Sequence, residues 1–455
     1  MEEVQASFSY KAHVLVLPFH GQGHMNPMLQ FSKRLASKGI KITLAATLSA
    51  TKNMPPQVGS ISLEPIYDDL THGGLDGADG LKGFIDRFQE IGSRNLRDLI
   101  TKSQSSKYPI KCLVYDANLP WSLDVALGLG IMGAGFFTQS CATIATYVDM
   151  IEENSLESKK PLRSLEELGL VNMPDMGSST GRYPSLMSFL LGHFDNIDKA
   201  DWVLFNSFDK LEEEVVKNLM KLYEVRTIGP TLPSMYLDKR IEDDKDYGFN
   251  LYQSTGDTCI NWLSTKERGS VVYVSFGSAA RLSAEQMEEV AWALNESDAN
   301  FLWVVRTSEE NKLPSSFKEQ ISEKGLMVTW SPQLEVLSHE AVGCFVTHCG
   351  WNSTVEGVSL GVPMVAMPQF LDQFSDAKFV EEVWEIGVRP KGDDSTGLVS
   401  RKTIAECIKQ VIQGERGEKI KRNASKWKQL ARVALEEGGT SDRNIEEIVA
   451  KIVSN

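Results

Sequence analysis

Apolar runs of strand length alternate with amphipathic stretches along the first half of the chain. The runs are nearly continuous, which is typical of parallel strands buried on both faces of a sheet. They cover residues 12–19, 41–47, 61–68, 110–116 and 132–138. Residues 81–103, between two of these runs, have helical periodicity. The alternation predicts an α/β domain with right-handed crossovers.

The second half repeats this alternation after a polar, charged stretch. Its predicted strands cover residues 270–278, 300–306, 325–330, 342–349 and 362–368. The predicted organisation is an N-terminal Rossmann-like domain, a linker, a C-terminal Rossmann-like domain and a final helix that packs back on the first domain, over residues 1–240, 241–257, 258–437 and 438–455. Two open α/β domains placed face to face leave an interdomain cleft between the carboxyl edges of their sheets, and such crevices hold ligands.

Composition narrows the class of protein. A formal net charge of -14 over 455 residues disfavours nucleic acid and anionic membrane surfaces as partners. Six scattered cysteines favour a reducing compartment over a disulfide framework. The acidic, polar start does not match a signal peptide, and no apolar stretch approaches the roughly 20 residues of a spanning helix. We therefore expect a cytosolic protein without a membrane span.

The turn "HGQGHMNP", residues 20–27, follows the first predicted strand. Asn26 and Pro27 are expected to begin a helix there, as N-cap and first helical residue. His20 and His24 lie four positions apart, but a metal pair at that spacing needs both on one helix, and the glycines and proline argue against one. A glycine-rich turn with incidental histidines is the alternative that the motif alone leaves open.

The position of His24 favours a chemical role. In the common doubly wound order, strands one and four are neighbours, and their carboxyl ends flank the ligand crevice. His24 follows strand one, and Asp116 ends strand four. A carboxylate there can fix the imidazole tautomer and stabilise the imidazolium that forms when the other ring nitrogen takes a proton. His20 has no such partner and is expected to support the turn.

A second group of candidates follows strand 342–349. Asn352 and Ser353 are expected to cap a helix there, and a helix N-terminus reached through a glycine turn suits phosphate. Glu356, expected in the first turn of this helix, suits ribose hydroxyls by analogy with dinucleotide sites. Trp330 ends a strand at the same edge, where its indole can stack on a base.

Residues 330–373 resemble the 44-residue signature box of the plant secondary-product glycosyltransferases, family 1 enzymes that use UDP-sugars. Trp, Gln, "HCGWNS", Glu and the closing "DQ" are all in place. The likeness continues in "GQGHMNPM", "VYDANLPW", "FFTQS", "VYVSFGS" and "EEGGTSDRNIEE". The sequence is most similar to the subgroup that acts on carboxylic acids, triterpenoids and steroids.

The resemblance implies the GT-B architecture, two facing Rossmann-like domains, and a role for each matching residue. Trp330 would stack on uracil, Gln333 would lie near the ribose or base, and Glu356 would bind the ribose. The pyrophosphate would be held by Ser278, His348, Asn352 and Ser353. The sugar would be contacted by Trp351, Asp372 and Gln373, and by Thr138 from the other domain. His24 would be the general base and Asp116 its partner.

The implied activity is inverting O-glucosyl transfer from UDP-glucose to a small lipophilic plant metabolite, without a metal and by a monomer. The product would be the β-glucoside of a steroid, a triterpenoid, or a phenolic hydroxyl or carboxylate. Gln373 favours glucose, since galactose users carry His there, and Trp351 fits glucose better than the Arg of glucuronate users. His20 departs from the small residue or proline of most relatives, which affects only the expected acceptor pocket.

Rival functions remain distinguishable. An NAD-dependent oxidoreductase would need a glycine fingerprint after strand one, which "HGQGHMNP" does not supply. A non-catalytic sugar-nucleotide binder could dispense with His24 or Asp116. A nucleotide-sugar epimerase is the nearest enzyme alternative.

Elsewhere, "EDDKD" (242–246) is interpreted as a solvated charged run. The acceptor pocket is expected from the loops at residues 71–80, 140–150 and 182–194.

Overall fold

The computed structural model describes residues 9–47, 57–58, 60–67, 80–153, 189–248, 256–321 and 324–455. The chain forms two compact units. The first comprises Met1–Met235, Lys239–Phe249 and Ala434–Asn455, and the second comprises Tyr236–Asp238 and Asn250–Val433. None of the helices in the described ranges is both long and apolar enough to cross a membrane.

The first unit is built on an eight-stranded sheet of order β3-β4-β2-β1-β5-β6-β7-β8. Its strands are β1 (Ala12–Leu17), β2 (Ile40–Thr47), β3 (Gln57–Val58), β4 (Ile61–Tyr67), β5 (Ile110–Asp116), β6 (Met132–Phe137), β7 (Trp202–Phe205) and β8 (Val225–Thr227). Neighbouring strands are parallel except β3 and β4. Its helices are α1 (Gln22–Ser37), α2 (Gly80–Ser103), α3 (Trp121–Gly128), α4 (Cys141–Glu153), α5 (Glu213–Leu219) and, at the end of the chain, α14 (Thr440–Ser454).

The positions of the central strands in the first half are predictable from the sequence because these strands are buried. Every residue of β1 and of β6 is buried, so both faces of these central strands are covered and the chain is apolar at nearly every position. The short strands β7 and β8 were not predicted. Each has only three or four residues, too few for a hydrophobic pattern to stand out.

Helix α1 begins earlier than the sequence suggested. It starts at Gln22 with Gly21 as N-cap, so Asn26 and Pro27 lie inside the helix and the predicted capping by Asn26 is wrong. Pro27 removes one backbone donor from the helix. Met25 and Leu29 are buried on either side of it, and their burial offsets that loss.

Helix α14 belongs to the first unit and is fastened to it by polar contacts. Ser441 donates its hydroxyl to the carbonyl of Gly229 at 2.6 Å. Asp442 accepts from Lys38, the C-cap residue of α1, at 3.0 Å and from Arg240 at 2.9 Å. The contacts hold the last helix against β8 and α1, with Asp442 only 9% exposed in its side chain.

The acidic stretch 242–246 also contacts the first unit. Asp244 is 6% exposed, and its carboxylate accepts from Gln30 at 3.0 Å, from Lys33 at 2.8 Å and from the backbone N–H of Ser234 at 2.7 Å. The interpretation of the whole stretch as solvated is therefore wrong for this residue. A run of acidic residues in the sequence does not show which carboxylate faces a neighbouring helix.

The second unit contains a six-stranded parallel sheet of order β11-β10-β9-β12-β13-β14. Its strands are β9 (Val271–Ser275), β10 (Asn300–Val304), β11 (Gly325–Val328), β12 (Val342–Thr347), β13 (Met364–Ala366) and β14 (Gly387–Val388). Its helices are α6 (Gly256–Leu263), α7 (Ala284–Glu296), α8 (Ser315–Gln320), α9 (Gln333–Ser338), α10 (Trp351–Leu360), α11 (Gln373–Lys378), α12 (Arg401–Ile412) and α13 (Gly414–Leu435). The predicted fold class, α/β with parallel sheets in both halves, is confirmed.

Candidate active site

His24 and Asp116 meet at the carboxyl edge of the first sheet. Strands β1 and β5 are parallel neighbours, with Leu17 in register with Tyr115, so the residues that follow them come together. His24 lies in the first turn of α1, and its Nδ1 is 2.7 Å from Oδ2 of Asp116. The His24 side chain is 27% exposed and that of Asp116 only 2%.

The two oxygens of Asp116 have different donors. Oδ2 accepts the N–H of His24 Nδ1, and Oδ1 accepts the backbone N–H of Asn118 at 3.0 Å. This arrangement fixes the aspartate and assigns the imidazole proton to Nδ1 in the neutral ring. The lone pair then lies on Nε2, the nitrogen that can accept a proton from a substrate.

Two more side chains approach the same imidazole nitrogen. The hydroxyl of Thr138 lies 3.2 Å from His24 Nδ1, and the Asn118 amide nitrogen lies 3.4 Å from it. Thr138 follows β6, the neighbour of β5, so the sheet order explains its position. The resemblance suggested a sugar contact for Thr138 and did not single out Asn118, although Asn118 stands two residues after Asp116 in the quoted "VYDANLPW".

His20 has a different neighbour. Its Nδ1 lies 3.3 Å from the hydroxyl of Thr47 at the end of β2. His20 precedes α1 whereas His24 is on it, so the two rings do not share a helix. Across the described ranges, no three His, Cys, Asp or Glu side chains are grouped as a metal site would need.

A group of aromatic rings lies on one side of His24. Phe19 packs edge-on against it with ring centroids 5.4 Å apart, and Phe88 and Phe189 lie 6.0 and 6.1 Å from Phe19. Phe88 in turn contacts Trp121 at 6.4 Å. Within residues 140–150 every side chain but that of the last is buried, and residues 71–79 and 182–188 of the predicted acceptor loops lie outside the described residues. The first unit therefore presents an apolar, aromatic setting beside its His–Asp pair.

In the second unit, the turn from β12 into α10 presents backbone donors. Cys349 has a positive φ of 62°, which turns the chain sharply, and its N–H donates to the Thr347 hydroxyl at 3.1 Å. Gly350 is the N-cap of α10 and no side chain caps the helix, so the expected capping by Asn352 and Ser353 is wrong. A helix has no internal acceptors for its first N–H groups, and these suit an anion.

His348 lies beside this turn, between two glycines. A Cβ on Gly277, whose φ is 69°, would come within 2.8 Å of His348 Nε2, and one on Gly350 within 2.5 Å. Burial, with a smaller contribution from the Arg306 charge, lowers the pKa of His348 to about 4. The ring is therefore neutral at pH 7 and can offer an N–H as a neutral donor. Ser278 is exposed next to Gly277, and its carbonyl accepts from Arg306.

A hydrogen-bonded group links the predicted base and ribose residues. The Gln333 amide nitrogen donates to Glu356 at 2.7 Å and to the Ser353 hydroxyl at 3.0 Å, while its oxygen accepts from the Tyr273 hydroxyl at 3.1 Å. Glu356 is 5% exposed and is the sixth residue of α10, beyond the first turn where it was expected. Tyr273, on β9, was not singled out from the sequence, although it is part of the quoted "VYVSFGS". Trp330 is partly exposed just after β11.

The last predicted residues differ in exposure. Gln373, the first residue of α11, is 4% exposed, and its side-chain oxygen accepts the backbone N–H of Gln369 at 2.9 Å and of Phe370 at 3.3 Å. These two bonds fix the amide so that its nitrogen is on the opposite side. Asp372 is the preceding N-cap residue and is partly exposed. Trp351 is 3% exposed, and its ring centroid lies 6.3 Å from that of Trp384. Its predicted sugar contact stays a prediction.

Sequence comparisons identify the same two halves. Residues 256–431 match the family described as UDP-glucoronosyl and UDP-glucosyl transferase, and residues 11–62 match a glycosyltransferase N-terminal domain. UDP-glycosyltransferase 74F2 of Arabidopsis thaliana is 47% identical over 98% of this chain and 99% of its own length. The flavonol 7-O-beta-glucosyltransferase of the same plant is 46% identical over 97% and 98%. Mogroside I-E synthase of Siraitia grosvenorii is 42% identical over 97% and 98%.

Solved structures agree with these sequence relationships. The crystal structure of Os79 from O. sativa in complex with UDP has a TM-score of 0.88 to this chain at 37% identity, covering 96% of this chain and all of Os79. The fold is thus the GT-B fold of these enzymes. The chain belongs to the UDP-glucuronosyl and UDP-glucosyl transferase family, and it is a UDP-sugar-dependent glycosyltransferase of plant secondary metabolism.

Proposed function

We propose that the protein transfers glucose from UDP-glucose to an oxygen of a small lipophilic acceptor, with inversion, and forms a β-glucoside. The observation that carries this proposal is the 2.7 Å contact between His24 Nδ1 and Asp116 Oδ2 at the carboxyl edge of a Rossmann-like sheet. Relatives that span nearly the whole chain are named as a UDP-glucosyl transferase and as a flavonol 7-O-beta-glucosyltransferase, which supports glucose as the sugar.

His24 acts as the general base in this proposal. Its Nε2 takes the proton of an acceptor hydroxyl as the oxygen forms a bond to the anomeric carbon of glucose, opposite the departing UDP oxygen. Asp116 stabilises the imidazolium that results. An acceptor carboxylate is already ionised at pH 7 and attacks without losing a proton to His24.

The second unit holds the donor in this proposal. The α10 N-terminus, neutral His348 and the hydroxyl of Ser278 bind the diphosphate, whose negative charge grows as the sugar leaves. The Gln333 and Glu356 pair lies at the ribose, and the fixed amide of Gln373 donates to a glucose hydroxyl. Since helix and neutral donors supply this stabilisation, the proposed mechanism needs no metal.

Relatives and a structural neighbour suggest the acceptor class. Their printed names refer to a flavonol and a mogroside, and Os79 has been crystallised with a trichothecene. The aromatic rings beside His24 suit molecules of this lipophilic kind. We propose a small lipophilic acceptor, namely a steroid, a triterpenoid, or a molecule with a phenolic hydroxyl or a carboxylate, and we retain the predicted cytosolic location and monomeric state as part of the proposal.

A product assay tests the proposal directly. UDP-glucose is incubated with phenols, flavonoids, triterpenoids and aromatic acids, UDP release is followed, and the products are identified by mass spectrometry and anomeric NMR. We expect UDP release only with an acceptor, and a β-linked glucoside as product. UDP release or sugar rearrangement without any acceptor would favour the epimerase alternative, and an α-linked product would contradict inversion.

A further inference from the structure

His193 is a buried imidazole in the first unit that the proposed mechanism does not use. It lies in the short 3-10 turn Gly192–Phe194 and is 3% exposed. Neither of its ring nitrogens has a hydrogen-bond partner among the residues that the structure describes. Burial of a polar group without a partner costs free energy, so native proteins rarely retain one without a functional reason.

The ring lies close to the catalytic pair. Burial lowers the pKa of His193 to about 4, while the Asp116 carboxylate raises it and the His24 ring lowers it by smaller amounts. Both members of the pair are therefore within electrostatic range. His193 is neutral at pH 7, so it has one N–H donor and one lone-pair acceptor.

Aromatic rings connect the two histidines. His193 contacts Phe189 with ring centroids 5.7 Å apart, Phe189 contacts Phe19 at 6.1 Å, and Phe19 contacts His24 at 5.4 Å. Phe137, the residue before Thr138, lies 6.2 Å from His193 on another side. The unsatisfied imidazole is thus part of the same aromatic group that lies beside the general base.

The neighbouring turn is anchored to the loop that carries Asp116. The Asn196 amide nitrogen donates to the carbonyl of Pro120 at 3.0 Å. The oxygen of this amide is buried and, among the described residues, has no donor of its own. Residues 193–196 therefore carry three buried polar atoms without partners among the described residues, on a turn that is bonded to the loop that follows β5.

Another histidine of the same unit shows the usual arrangement. His13 is buried to a similar degree, and burial likewise lowers its pKa to about 4. Both of its nitrogens are bonded, Nδ1 to the carbonyl of Tyr108 at 2.8 Å and Nε2 to the hydroxyl of Thr43 at 2.9 Å. His13 is thus satisfied by the protein itself, whereas no described residue bonds to the ring nitrogens of His193.

We propose that His193 recognises the acceptor, by hydrogen bonding to a second acceptor oxygen next to the one that attacks glucose. The protein then prefers aromatic acceptors with two adjacent oxygens over those with one. The phenyl rings around His193 contact the faces and edges of such a ring, and the imidazole supplies the polar contact that they lack. This inference rests on the proposed glucosyl transfer.

The test compares acceptors in pairs that differ by one oxygen. Catechol is paired with phenol, and 2,3-dihydroxynaphthalene with 2-naphthol, and kcat and KM for each are measured with saturating UDP-glucose. The variants are His193→Leu, which removes both polar atoms, and His193→Gln, which keeps a donor and an acceptor. His13→Leu is the matched control for loss of a buried imidazole away from the aromatic group.

We expect the parent to favour the two-oxygen member of each pair. His193→Leu should reduce that preference about 3- to 10-fold, mainly through KM, as expected for one lost hydrogen bond. His193→Gln should restore much of it, and His13→Leu should leave it unchanged. The melting temperature of His193→Leu should equal or exceed that of the parent, because no protein hydrogen bond is lost, while that of His13→Leu should fall.

Two results would overturn the assignment of His193. One is a preference that survives in His193→Leu, and the other is a parent enzyme that shows no preference at all. In both cases glucosyl transfer itself continues. If the parent transfers glucose to none of the acceptors in this pair set or in the wider product assay, the proposed function fails, and the role of His193 fails with it.

Discussion

The substitution Asp116→Asn gives the sharpest test of the His–Asp pair, because it keeps the size of the buried side chain. The aspartate now accepts two N–H donors, from His24 at 2.7 Å and from the backbone of Asn118 at 3.0 Å. An asparagine has only one acceptor oxygen at this position. One of the two donors must therefore face an NH₂ group.

Either orientation of the amide weakens the base. If its oxygen faces His24, a charge-assisted hydrogen bond of ~1.5–3 kcal/mol becomes a neutral one of ~0.5–1.5 kcal/mol. The difference of about 1–1.5 kcal/mol corresponds to a factor of roughly 5 to 13 in rate. If its nitrogen faces His24, Nδ1 must accept, and the ring proton moves to Nε2. That nitrogen can then no longer take a proton, and most of the ~100- to 10,000-fold contribution of general base catalysis is lost.

The choice of acceptor supplies an internal control. We expect kcat for a phenolic hydroxyl to fall at least about 5-fold in Asp116→Asn, since its proton must be removed. A carboxylate acceptor is already ionised at pH 7, so its kcat should fall much less. UDP release under saturating donor gives both rates, and calorimetric titration with UDP checks that the second unit still binds nucleotide with parental affinity.

Two outcomes would refute this reasoning. An unchanged kcat for the phenol would show that Asp116 does not assist the base. An equal loss for phenol and carboxylate, with UDP affinity unchanged, would indicate that the aspartate acts on acceptor binding or on the local fold. Thr138→Val is a useful companion, because it removes a hydroxyl 3.2 Å from the same imidazole nitrogen and leaves the carboxylate in place.

Three further predictions concern the donor, the metal and acid stability. Gln373→His should lower kcat/KM for UDP-glucose by about 10-fold or more, because the donated hydrogen bond is lost; equal rates would contradict a sugar contact. A chelator should leave activity intact, and a loss that manganese restores would overturn the metal-free mechanism. Burial lowers the pKa of His13, His193 and His348 from 6.5 to about 4, so the unfolded chain binds more protons between these pH values. Unfolding free energy should therefore fall as pH drops from 6.5 toward 4, by up to about 3 kcal/mol for each ring, and denaturant titrations that show no such fall would contradict it.

The central strands could be predicted because burial on both faces leaves a direct trace in sequence. All of β1 and β6 is buried, and their apolar runs carry that information without any knowledge of the partner strands. Strands β8 and β14 have three and two residues, and their existence depends on a neighbouring strand for pairing. No local pattern encodes such a neighbour.

The pairing of His24 with Asp116 was predictable for a different reason. It follows from strand order alone, since the doubly wound rule makes β1 and β5 neighbours once the two-residue β3 is set aside. The contacts of Asn118 and Tyr273 depend on side-chain direction over a few ångströms. That direction is set by turn geometry and register, which a single sequence does not specify.

The helix starts were the weakest predictions. In α1, Pro27 was assigned to the first turn because proline is favoured there, yet the helix begins five residues earlier at Gln22. In α10, Asn352 and Ser353 were assigned to the cap because of their side chains, yet Gly350 is the N-cap. The N-cap residue of α10 therefore has no side chain that could accept the first N–H groups of the helix. These N–H groups are left to other acceptors.

Three buried imidazoles with the same lowered pKa show how a polar group can be assigned to structure or to function. His13 is bonded at both nitrogens by groups of its own unit and needs nothing more. His348 packs against Gly277 and Gly350, and a Cβ at either glycine would collide with its ring. The ring therefore lies close to the backbone, at a place where a ligand could also contact that backbone. Among the described residues, no group bonds to either ring nitrogen of His193, and its ring contacts Phe189 of the aromatic group at His24. An unsatisfied buried imidazole destabilises the fold, and other interactions must offset that cost. Since His193 lies near the proposed base, we expect an oxygen of the acceptor substrate to be its hydrogen-bond partner.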